Sequence, residues 1–160
     1  PLEYTGTKLA LTGMALSVIG LVGGIALHTY IYLTEVPEGD FVRVSFYELQ
    51  PENPDAREVI LPPKAAELAG KPIFIKGYVH PGVEGQGKVK HFILVPDMGT
   101  CCFGGQPKVT DMIEVRLQTD QGVAWSPSLR KLAGTFQLHP PRKVSSLSDV
   151  IYSLDASYVK

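Results

Sequence analysis

The sequence predicts a mainly β chain: a small barrel preceded by a single N-terminal transmembrane α-helix. Three observations predict it. Residues Leu9 to Leu27 carry no charged side chain. Several short runs of strand-like composition follow between Phe41 and Ala156. Glycine (16) and proline (13) are both frequent, which favours many turns and short strands over a helical bundle.

The length of 160 residues fits one domain plus an anchor. Apolar residues make up 44% and charged residues 19%. Net charge is −1 and the sequence pI about 6.5. Neither a basic stripe nor an RNA-binding aromatic signature is present, so nucleic acid is not an expected partner. The chain begins at Pro1, and we expect further residues upstream.

The expected organisation is a cytoplasmic stub over 1–8, a transmembrane helix over 9–33 and an extracytoplasmic OB-like β domain over 34–160. Extending the uncharged run to Leu33 adds His28 as an ionisable group. About 20 helical residues cross the ~30 Å hydrocarbon core, and Leu9 to Tyr30 fits that length. Tyr30 and Tyr32 sit at the far end, where amphipathic aromatics favour the headgroup layer. Lys8 precedes the span, while Glu35, Glu38 and Asp40 follow it. The basic side is expected to face the cytoplasm, with residues 34–160 extracytoplasmic.

Within the helix, Gly13, Ser17, Gly20 and Gly24 recur at spacings of four, three and four. At 100° per residue they share a stripe roughly 60° wide. Lipid supplies no hydrophobic drive for helix association, so close packing on small residues takes its place. The stripe therefore predicts other transmembrane subunits as partners.

Beyond the span, Phe41–Tyr47 alternates as a strand, and Gln50–Arg57 reads as a loop. A short helix over Ala65–Ala69 opens at Leu61-Pro-Pro-Lys and is closed by Gly70. Strands are predicted at Ile73–Val79, Val89–Val95, Thr110–Leu117, Ala133–Leu138 and Val150–Ala156. Gly77 and Gly134 each interrupt one, which predicts bulges or barrel corners. Five or six short strands with one brief helix fit the five-stranded OB barrel better than a sandwich of about seven.

Three stretches carry a resemblance. They are Leu68-Ala-Gly-Lys-Pro-Ile-Phe-Ile-Lys-Gly-Tyr-Val-His-Pro-Gly, Lys90-His-Phe-Ile-Leu-Val-Pro and Gly99-Thr-Cys-Cys-Phe-Gly-Gly-Gln-Pro. Together they resemble an uncharacterised bacterial family of small exported proteins and lipoproteins, with a Gly-x-Cys turn after a Leu-Val-Pro strand. The resemblance covers roughly residues 44 to 120. It implies an OB-like fold and an exported domain accompanying membrane transport systems, with no activity to transfer. The Cys-Cys pair also resembles one in an OB-like exported domain of certain permease subunits. This chain departs from the lipoprotein members in its helical anchor and in lacking a proline run after the cysteines.

Cys101 and Cys102 are the two cysteines, and they are adjacent. One reading is a vicinal disulfide, strained because neighbouring Cα atoms lie about 3.8 Å apart where ordinary bridges want about 5.5–6 Å. Another is a metal or redox site for zinc or copper, completed by His91, His80 or His139, since soft thiolates and imidazole suit both ions. The third is a pair of small side chains buried in a turn. On a strand Val89–Val95, His91 shares a face with Val89, Ile93 and Val95, and is expected as a hydrogen-bonded core residue. His80 and His139 read as loop residues. Trp125 reads either as an interface anchor or as a barrel plug. Lys108, Arg116, Arg130 and Lys131 read as solvated surface, and Arg142-Lys143 as a partner or headgroup contact.

No nucleophile elbow, zinc-protease motif or phosphate loop is present, so no enzyme is expected. The expected function is a non-catalytic accessory subunit in a larger membrane complex, without a cofactor. The alternative is an exported metal-binding or redox module using Cys101, Cys102 and a histidine. A third reading, capture of an oligosaccharide or peptide, calls for exposed aromatics on the barrel face.

Overall fold

The computed structural model describes residues 6–51, 61–99, 108–139 and 150–160. The chain divides into two compact units, Pro1–Val36 and Pro37–Lys160.

The first unit is built on one helix, α1 (Thr7–Thr34). Its 28 residues would extend roughly 42 Å at the helical rise. It is long and apolar enough to cross a membrane. None of its side chains is buried, and Leu9, Leu16, Leu21, Ile25, Leu27 and Leu33 are all exposed. An apolar surface all round a helix belongs in lipid or in a core, not in water. Several polar side chains turn inward on the helix itself. The hydroxyls of Thr12, Ser17 and Thr34 donate to the carbonyls of Leu9, Gly13 and Tyr30, at 2.8–2.9 Å. Such back-bonding hides a hydroxyl from an apolar solvent.

The second unit is mostly strand. Its elements run β1 (Val42–Val44), α2 (Pro63–Leu68), β2 (Pro72–Val79), β3 (Lys88–Val89), β4 (His91–Val95), β5 (Ile113–Leu117), β6 (Val123–Ala124), β7 (Arg130–Leu138) and β8 (Tyr152–Val159). Strands β2, β4, β5, β8 and β7 pair in that order, and β7 pairs back to β2. The ring is a closed five-stranded barrel. Its β5–β8 pair is parallel and the other four are antiparallel. That strand order and the parallel third-with-fifth pairing define an OB-type barrel, as expected. β1 lies outside the ring, parallel to β2, and β3 pairs with β6 in a separate two-stranded ribbon.

Two glycines make the closure possible. β2 pairs with β7 up to Gly77, then with β4 from Tyr78, so the strand changes neighbour at that residue. A Cβ on Gly77 would lie 2.8 Å from Leu94 Cγ and from the Val95 carbonyl oxygen. At Gly134 the β7–β8 register slips, and a Cβ would overlap the Asp155 carbonyl. Both positions are corners, as their placement inside strand patterns predicted.

Inside the barrel, Ile73, Ile75, Leu94, Ile113, Leu132 and Phe136 are fully buried. Phe136 and Tyr152 meet in a tilted ring contact, 5.5 Å between centroids. A helical turn, Phe46–Leu49, and α2 add Phe46, Leu49, Ala65 and Leu68 to the same core. The Tyr152 hydroxyl donates to the Leu49 carbonyl at 2.9 Å, tying the turn to β8.

Three of the expected strands differ in extent, pairing or facing from the sequence reading, and β6 was not expected. The strand expected over Phe41–Tyr47 stops at Val44 because Ser45 caps a turn. Its hydroxyl accepts from the Tyr47 amide, and Glu48 reaches back to the Ser45 amide. The strand expected over Val89–Val95 is two strands, since β3 leaves to pair with β6. Its facing is also reversed: Phe92 and Leu94 point into the core, opposite Val115 and Ile113, while His91 points out. Finally, Thr110 lies in a helical turn, Val109–Asp111, ahead of β5. The loop expected over Gln50–Arg57 lies largely outside the described residues.

Candidate site on the outer face of the barrel

Alternation along β4 and β5 decides which side chains leave the core. On β4, His91 and Ile93 point outward; on β5, Glu114 and Arg116 do. Pairing sets His91 opposite Arg116 and Ile93 opposite Glu114. The Glu114 carboxylate is gripped from both sides. His91 Nε2 lies 2.6 Å from one oxygen, and an Arg116 guanidinium nitrogen donates to the other at 3.1 Å. Partial burial acts to raise the Glu114 pKa. The bonds from His91 and Arg116 and their charges outweigh it, and the carboxyl sits below its ordinary value.

A shallow recess of about 260 Å³ opens beside this cluster, lined by His80, Gly82, Val83, His91, Phe92 and Ile93. His80 is placed by a tight turn, Pro81–Val83, that leaves β2. The Gly82 amide donates to His80 Nδ1 at 3.0 Å. That bond fixes the tautomer: a neutral His80 carries its proton on Nε2 and presents a donor there. The wall thus combines two imidazoles with an apolar floor.

This cluster was not expected from the sequence. His80 read as a loop residue and Arg116 as solvated surface, and Glu114 lay unremarked inside the strand expected over Thr110–Leu117. Each is ordinary within its own strand or turn. The cross-strand offset between β4 and β5 brings His91, Glu114 and Arg116 together, and the OB topology makes those two strands neighbours. Oligosaccharide capture called for exposed aromatics, whereas the outward positions on β4 and β5 hold His91, Ile93, Glu114 and Arg116.

His91 is exposed and bound to Glu114, not a core histidine as expected. Cys101, Cys102, Arg142 and Lys143 lie outside the described residues. Among the described residues, no three or more His, Cys, Asp or Glu converge to hold a metal ion. Trp125 is half-buried and packs against the barrel core. On α1, a Cβ added at Gly13, Gly20 or Gly24 would meet nothing within 4 Å, so the small-residue face is open within its unit. The Ser17 hydroxyl, bonded to the Gly13 carbonyl, leaves that face without a projecting polar group.

The fold and these features define a class: an OB-type barrel carrying an apolar helix of membrane-spanning length. The chain belongs to the DUF3299 family, described as a protein of unknown function, whose model matches residues 46–160. It is similar to the crystal structure of a DUF3299 family protein from Pseudomonas aeruginosa PAO1. Identity is 21%, covering 76% of this chain and 96% of that one at a TM-score of 0.52. That likeness shows the fold. A putative aspartyl-tRNA synthetase from Leishmania major Friedlin matches at 13% identity and TM-score 0.41, over 84% of this chain and 24% of that one. No curated protein matches the chain. The uncharacterised bacterial family that the strand and turn motifs resemble is in keeping with these matches.

Proposed function

We propose that this chain is a non-catalytic, single-pass accessory subunit of a larger bacterial membrane complex. Its helix packs among other transmembrane helices through Gly13, Ser17, Gly20 and Gly24. Its barrel docks on the periplasmic side of the inner membrane, and no cofactor takes part. The observation that carries this reading is the aligned, open row of small residues on a helix whose other positions are mostly large apolar side chains. In lipid, such a face gives little to a tether and much to a neighbour, because backbones can approach and gain dispersion contacts.

The test is gentle detergent extraction of the native protein, size-exclusion chromatography, and mass spectrometry with metal analysis on the same peak. Stoichiometric membrane partners are expected in wild type and lost in the Gly20→Leu/Gly24→Leu variant. A partner-free chain carrying about one metal ion, lost in Cys101→Ser/Cys102→Ser, would overturn the proposal.

A further inference from the structure

We draw no further inference here: the strongest candidate, the shallow recess on the outer face of the barrel between His80 and His91, is an unpartnered patch with a largely apolar lining, and nothing in the structure shows what covers it.

Discussion

Replacing Tyr152 by Phe removes one buried hydroxyl and leaves the ring contact with Phe136 in place. Tyr152 is fully buried, and its hydroxyl donates to the Leu49 carbonyl at 2.9 Å. The variant leaves that acceptor without its donor in a site closed to water. The cost of such an orphan is about 1–3 kcal/mol. For the 37–160 unit, about 3–5 °C of melting temperature accompanies each kcal/mol, so the expected drop is roughly 3–15 °C. The assay is equilibrium unfolding of the full chain in micelles, followed by the fluorescence of Trp125, the single tryptophan. A second readout comes from alkali. Burial, with the nearby Asp111 charge, pushes the Tyr152 pKa from 10.0 up to about 12. Its folded-state pKa exceeds its unfolded one, so above pH 10 the unfolded chain releases a proton that the folded chain keeps. Stability is therefore present below pH 10 and drains away as pH rises toward 12. The advantage of wild type over Tyr152→Phe should shrink across that window. Equal melting at pH 8, or parallel pH profiles between 10 and 12, would refute the reasoning.

Gly134→Ala tests barrel closure. Its new Cβ meets the Asp155 carbonyl and Ala156 Cα, which are backbone atoms of a paired strand and cannot rotate aside. A loss of at least about 2 kcal/mol is expected by the same unfolding assay. Glu114→Gln tests the outer cluster. The folded Glu114 carboxyl lies below its ordinary 4.5, so its contribution is present above that value and lost as pH falls through the folded pKa. The melting-temperature gap between wild type and Glu114→Gln should be open at pH 6 and close on acidification below pH 4. A gap that stays constant would mean that the His91 and Arg116 bonds do not act on the carboxylate.

How much of this was legible follows the range of the interactions. The helix was legible because its signal is local: an uncharged run of membrane-spanning length needs no knowledge of neighbours. The barrel strands were legible for the same reason, and Gly77 and Gly134 marked corners because glycine inside a strand pattern is costly without a close approach. The facing of β4 was not. Val89–Val95 alternates equally well in either phase, and a one-residue change of phase reverses every side chain. Val115 and Ile113, facing Phe92 and Leu94 on the next strand, settle which phase is buried.

The sequence alone determined the apolar helix, its row of small residues, the OB-type count of strands and the two glycine corners, since each is written in neighbouring residues or fixed spacings. Tertiary structure alone decided that His80, His91, Glu114 and Arg116 meet on one surface. These residues span positions 80 to 116 and come from two strands and a turn. The β4–β5 register carries His91, Glu114 and Arg116 within hydrogen-bonding reach of one another, and the turn after β2 sets His80 across a recess from His91.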